Sequence, residues 1–193
     1  NLYRFLPFAR ATYNNAAAIV AGSSQTYAEF VQHQEKVFFL PENGLTRSQC
    51  DSVRAPGRDH RLELIFVGAL IPYKACDRAL RAASPLLKGD LARLTVVGDG
   101  PELSRLEQLT RSLGIEKAVS FCGSLSHAEV MQRMRSADVL LFPSVREFGG
   151  AVVFEALAAG AVPVVADFGG PGDIVNPQVG YKVPLINESD MVS

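Results

Sequence analysis

Cysteine is scarce in this chain, with only Cys50, Cys76 and Cys122 among 193 residues. An odd number, far apart and without metal-ligand spacing, argues against a disulfide framework or a zinc cluster. Free thiols at Cys76 and Cys122 and a reducing, cytoplasmic compartment are the expectation. A strong charge of either sign is also missing: 19 Lys and Arg against 20 Asp and Glu leave a net charge of −1. With no basic stripe, nucleic acid is not the expected partner. No apolar run approaches the roughly 20 residues that a membrane helix needs, and no signal-peptide pattern is expected at the start. No D-x-D pair suggests a bound metal, so no metal and no cofactor are expected. The first strand of the main repeat is followed by G-A-L-I-P-Y. A nicotinamide dinucleotide site calls for G-x-G-x-x-G there, which disfavours an oxidoreductase.

What is present is a regular strand–helix alternation from Leu62 onward. Apolar runs predict strands near Leu62–Gly68, Leu91–Gly98, Val119–Gly123, Val139–Phe142 and Val162–Ala166, with a weaker one near Tyr181–Pro184. Helical patterns lie between them at Ala75–Leu87, Pro101–Leu113, His127–Ser136 and Ala151–Ala159. This order predicts an α/β fold: a Rossmann-like, mostly parallel sheet with helices on both faces. Nearly every unusual residue follows a strand, namely Gly68 to Lys74, Gly98-Asp99-Gly100, Gly123, Glu147 and Asp167 to Gly170. Ligands of such sheets bind outside the carboxyl ends of the strands, so these residues share one rim.

The segment Ala137–Gly160 carries the chemistry. Its strand ends at Pro143-Ser144, a loop holds Glu147, Gly149 and Gly150, and a nearly all-apolar helix runs on to Gly160. The free backbone N–H groups expected at the start of that helix make an anion site the expectation there. Glu155 lies one to two turns in, where little of the helix can face water. A carboxylate there needs hydrogen-bond donors, because burial without a partner costs several kcal/mol, roughly. Sugar hydroxyls would serve. The alternative is that Glu155 caps a neighbouring backbone and Glu147 is a solvated loop residue. Lys74 in G-A-L-I-P-Y-K sits at a helix start, where the dipole disfavours a cation unless an anion is near. A solvated lysine is the alternative there too.

Glu147 and Glu155 are separated by seven residues, preceded by A-D-V-L-L-F-P-S and followed by A-L-A-A-G-A-V-P-V-V. This pattern resembles the acidic motif of retaining, nucleotide-sugar-dependent glycosyltransferases of the group 1 type, which have the GT-B fold. The resemblance is strong from Leu62 to Gly180. It implies that Glu155 accepts from the nucleotide ribose and that Glu147 holds donor-sugar hydroxyls. It also implies that Lys74 neutralises the leaving diphosphate and that the N–H groups of Gly149–Val152 receive the distal phosphate. V-S-F-C-G resembles the segment that reads the nucleobase, with Ser120 as the nearest contact. The implied donor is a UDP-, GDP- or ADP-sugar, and the acceptor is a sugar, lipid or polysaccharide bound mainly by an N-terminal domain. Polysaccharide biosynthesis is the common setting.

Three positions depart from the family pattern. Ala69 stands where arginine is usual, with Arg78 and Arg146 as substitutes. Asp173 in F-G-G-P-G-D replaces a glutamate, and its shorter arm is expected to miss the usual partner. Glu42 interrupts a P-N-G-type hinge turn. G-D-G-P-E-L reads as a structural tight turn before a helix, with close approach of a nucleotide at Gly98 as the alternative, and His127 is expected to begin a surface helix. A glycosidase role for the two carboxylates is disfavoured by their placement along one loop and helix.

Residues 1–45 read as the remnant of the N-terminal domain, 46–61 as hinge or linker, and 62–193 as the nucleotide-sugar-binding domain. The apolar stretch Leu2–Asn14 is expected to pack on a neighbouring element, with peripheral membrane contact as the alternative. The chain is expected to bind nucleotide weakly and to transfer little alone, since the acceptor half is mostly absent. A non-catalytic nucleotide-sugar-binding module is the other reading.

Overall fold

The computed structural model describes residues 7–40, 43–45, 61–147 and 149–185. Residues 46–60 of the expected 46–61 linker, Glu42 of the hinge turn and the chain after 185 lie outside the described residues.

The N-terminal segment begins with helix α1 (Pro7–Asn15) and strand β1 (Ile19–Ala21). Helix α2 (Ser24–Glu29) starts at Ser23, whose hydroxyl accepts from the Thr26 N–H at 3.1 Å, as a serine N-cap should. The helix breaks at Phe30 and resumes as a 3-10 turn over Val31–Lys36. The break turns the Phe30 ring inward, where it meets Tyr13 edge-on at 5.1 Å and packs with Ile19, Ala21 and Val37. Strand β2 (Val37–Phe39) then pairs parallel to β1.

The main body follows the expected alternation. Strand β3 (Leu62–Val67) leads through a 3-10 turn, Pro72–Lys74, into α3 (Cys76–Lys88). Next come β4 (Ala92–Val97), α4 (Leu103–Leu113), β5 (Val119–Phe121), α5 (His127–Ser136), β6 (Val139–Phe142) and α6 (Ala151–Ala159). The described chain closes with β7 (Val162–Ala166), α7 (Gly169–Ile174) and β8 (Tyr181–Val183). Helix α7 replaces what reads as a glycine loop. Glycine and proline are poor helix formers, and this single turn and a half is held from outside, as described below.

All pairings in the six-stranded sheet are parallel, in the order β5-β4-β3-β6-β7-β8. Strands of such a sheet are buried on both faces. On one face Leu64, Phe66, Leu94 and Val96 pack with Cys76, Ala79, Leu80 and Ala83 of α3 and Leu106 of α4. On the other, Ile65, Val97, Leu140 and Phe142 pack with Met131 and Met134 of α5 and Val153 and Ala156 of α6. Cys76 and Cys122 are free thiols, the first buried and the second partly so. Among the described residues, no helix is long and apolar enough to cross a membrane.

The order matters for the site. From β3 the chain winds outward through β4 to β5, then crosses back to place β6 on the other side of β3. The strand order reverses between β3 and β6, and the crevice above such a reversal is the place where open α/β sheets bind ligands.

Candidate functional site

Two loops meet over that reversal. The loop after β3 delivers Lys74 and the loop after β6 delivers Glu147. They are stitched together through Tyr73, whose carbonyl accepts from the Val145 N–H at 2.9 Å and from the buried Ser144 hydroxyl at 3.3 Å. The Lys74 ammonium donates to Glu147 Oε2, and both side chains are less than a fifth exposed, at 18% and 19%. Lys74 Nζ also stands 5.3 Å from the centre of the Phe142 ring at the end of β6, an additional attraction for a cation. Lys74 and Glu147 are therefore one feature, built from residues 73 apart in sequence.

Helix α6 starts at Ala151, four residues after Glu147. Its N-cap, Gly150, has φ 66°, and no side chain caps the helix. The first N–H groups of a helix lack intrahelical acceptors, so Ala151 and Val152 present donors, with the dipole favouring an anion. A Cβ at Gly150 would lie 3.1 Å from Pro171, which ties this turn to α7. The Glu147 carbonyl accepts from the Gly170 N–H at 3.3 Å, and a Cβ at Gly169 would fall 2.2 Å from the same oxygen. Glycine at 169, with φ 58°, is what permits α7 to back the Glu147 loop.

The G-D-G segment has the structural task expected of a tight turn before a helix. A Cβ at Gly98 would lie 1.9 Å from the Gly68 carbonyl oxygen, and one at Gly100 would lie 2.4 Å from that of Leu70. The close approach is between two loops of the chain rather than between backbone and nucleotide. The Leu70 N–H donates to Asp99 O at 2.9 Å and the Glu102 N–H to Leu70 O at 3.0 Å, locking the Lys74 loop from behind.

Glu155 of α6 is a fifth exposed, not shut away among its apolar neighbours. Its Oε1 lies 3.0 Å from His127 Nε2 at the start of α5, a side chain 59% exposed. His127 thus does more than begin a surface helix, and the sequence reading missed it. The signal was partial: S-H-A-E forms a capping box at Ser126 and Glu129 that fixes where α5 begins, but nothing in it names a partner 28 residues on.

Asp173 does find a partner. Its carboxylate accepts from the Ser24 backbone N–H at 2.7 Å and from the Ser24 hydroxyl, joining α7 to α2. Ser120 is exposed on β5, the outer strand, separated from β3 by β4. Ala69 and Arg146 are exposed, and Arg78 lines an apolar groove of about 240 Å³ with Ala79, Leu141, Val164 and Val183. Neither Lys74, Glu147 nor Glu155 lines that groove, so its shape adds nothing to the reading of the rim. Among the described residues, no three His, Cys, Asp or Glu side chains converge as a metal site requires.

A parallel sheet with a reversed strand order, a lysine–glutamate pair over the reversal and an uncapped helix start define an open, doubly wound α/β protein with a polar rim at its strand ends. The chain belongs to the glycosyl transferases group 1 family, whose pattern matches residues 52–191. It is 37% identical over 147 residues to D-inositol 3-phosphate glycosyltransferase of Rhodococcus erythropolis, covering 69% of this chain and 33% of that protein. It is 34% identical over 122 residues to the uncharacterized glycosyltransferase MJ1607 of Methanocaldococcus jannaschii, covering 63% and 31%. The crystal structure of Anabaena Alr3699/HepE in complex with UDP superposes with a TM-score of 0.77 at 22% identity, covering 94% of this chain and 54% of that one. The fold is that of GT-B glycosyltransferases. The chain spans about a third of the length of the curated relatives it matches.

Proposed function

We propose that this chain is the donor-binding part of a glycosyltransferase that moves a sugar from a nucleoside diphosphate sugar to an acceptor hydroxyl with retention of configuration. The observation that carries the reading is the Lys74–Glu147 contact over the β3–β6 reversal, directly ahead of the uncapped start of α6. A cation and a row of N–H donors suit a diphosphate, and a carboxylate beside them suits sugar hydroxyls. In this scheme the bond between the anomeric carbon and the phosphate oxygen breaks while Lys74 and the N–H groups of Gly149 to Val152 take up the charge that develops on the diphosphate. Fixed donors aimed at developing charge are the usual source of such catalysis. Glu147 orients the donor sugar, Glu155 accepts from the ribose, and Ser120 lies near the base. Lys74 and the amides carry the counter-charge, so the scheme needs no metal.

UDP bound to a protein of the same fold supports this assignment. Residues 1–45 would then belong to the preceding domain and 62–193 to the donor domain. The acceptor, a sugar, lipid or polysaccharide, would bind mainly outside this chain, at a cytoplasmic site or at a membrane surface. The second reading, a non-catalytic nucleotide-sugar-binding module, draws on the exposed Ala69, where the family resemblance implies arginine.

Calorimetry of the chain with UDP, GDP, ADP and NAD tests the proposal. One of the three diphosphates should bind with a Kd in the micromolar to millimolar range, and NAD should not. Tighter binding of NAD than of any diphosphate would overturn it.

A further inference from the structure

Among the described residues, the Glu155 carboxylate has one hydrogen-bond partner, the imidazole of His127, and that contact occupies Oε1. The second oxygen, Oε2, has none. The imidazole arrives from a different helix and is itself well anchored at its root. Ser126 caps α5, its N–H donating to the Glu129 carboxylate at 2.8 Å while its hydroxyl accepts from the Glu129 N–H. His127 is the next residue, so its Cα has little freedom. Glu155 is rooted in turn on the face of α6 whose neighbours Val153 and Ala156 are buried. Two fixed backbones thus hold two side chains in contact, with the carboxylate the more buried of the pair.

A neutral imidazole has one N–H and one bare nitrogen. With the proton on Nε2, His127 donates to Oε1 and sets the rotation of the carboxylate, leaving Oε2 as the acceptor that remains. A carboxylate with no such partner must be immobilised by its ligand, and ordering a long side chain on binding has an entropic cost. We infer that His127 is a positioning residue of the ribose subsite. It holds Glu155 so that Oε2 meets the hydroxyls of the nucleoside, and it thereby strengthens the preference for ribonucleotides over deoxyribonucleotides. The inference rests on the donor-site reading of Glu155 given above.

The test is calorimetry of the chain with whichever of UDP, GDP and ADP binds best and with its 2′-deoxy counterpart, for wild type, His127→Phe, His127→Gln and Glu155→Gln. His127→Phe keeps a ring but loses the donor. It should weaken ribonucleotide binding about 3-fold to 10-fold while leaving the deoxynucleotide unchanged, so that the ratio of the two falls. His127→Gln restores an N–H and should recover most of that ratio. Glu155→Gln should remove it. Because His127 is more than half exposed, melting temperatures should be nearly the same for wild type and both His127 variants. An unchanged ratio in His127→Phe, or a loss that falls equally on both nucleotides, would overturn the inference while leaving the donor site standing. Failure of wild type to bind any of the three diphosphates would sink the donor reading and this inference with it.

Discussion

The carbonyl of Tyr73 accepts the Val145 N–H at 2.9 Å, so the residue before Lys74 is bonded to the residue two before Glu147. One hydrogen bond across the β3–β6 reversal therefore sets the spacing of the ammonium and the carboxylate. These two groups neutralise each other. On the proposed donor-site reading, a diphosphate entering the rim would take Lys74 away from Glu147, so the two residues would oppose each other in binding although they sit side by side.

That opposition gives predictions of opposite sign. Lys74→Met removes the cation and leaves the Glu147 charge facing the phosphates. UDP, or the preferred diphosphate, should bind about 10-fold to 100-fold more weakly, as expected for losing a hydrogen bond to a charged group. Glu147→Gln releases Lys74, and the bare diphosphate should bind more tightly than to wild type while the sugar-bearing donor gains less or loses. Paired calorimetry of nucleoside diphosphate and nucleotide sugar on both variants checks this. A Glu147→Gln variant that binds the bare diphosphate more weakly would contradict the picture of a pair split by the ligand.

Much of this rim is legible in the sequence. Strands β6 and β7 and helices α5 and α6 run over the expected residues, because their apolar periods and glycine stops agree with the tertiary packing. Since each strand end was locatable, so were Lys74 and Glu147, each in a loop following its strand. What local pattern could not supply was pairing at a distance. Ser24 and Asp173 are 149 residues apart, and no period or motif couples them. Helix α7 was illegible for a related reason: G-G-P-G-D-I has no helical propensity of its own, and its conformation depends on the Glu147 carbonyl and on Ser24. Gly98 was legible as a glycine needing close approach, but the object approached, the Gly68 carbonyl, belonged to another loop.

The Ser24–Asp173 contact joins the two-stranded N-terminal unit to the large sheet. Asp173→Ala should loosen that unit without harming the core beneath it. The expected result is faster amide hydrogen exchange over residues 24–29, by about 2-fold to 5-fold for loss of a contact worth roughly 0.5–1 kcal/mol at an exposed site. Exchange in β3 and β4 should be unaltered. Because α7 also backs Glu147, a modest loss of nucleotide affinity should accompany it. Equal protection of residues 24–29 in wild type and variant would show that the contact does not hold the two parts together.

Cys76 offers a measurement independent of any ligand. It is the first residue of α3 and lies against the core. Burial, with a smaller push from the Asp77 carboxylate, moves its thiol from 9.0 up to about 12. In the unfolded chain the thiol ionises near its ordinary value, so between pH 9 and 12 the folded state holds a proton that the unfolded state has lost. Linkage then makes stability fall as pH rises, by up to about 1.4 kcal/mol per pH unit from this group alone. The contribution is fully present below pH 9. Lysines and tyrosines titrate in the same window, so the useful quantity is a difference. Wild type and Cys76→Ala should be compared by urea denaturation at pH 8, 9, 10 and 11. The gap between the two curves should change by less than about 0.4 kcal/mol from pH 8 to 9, and wild type should then lose stability faster than the variant. The same ionisation cost should make Cys76 slow to alkylate at pH 8, slower than the partly buried Cys122. Parallel curves through pH 11 would mean that the thiol is not held neutral by the fold.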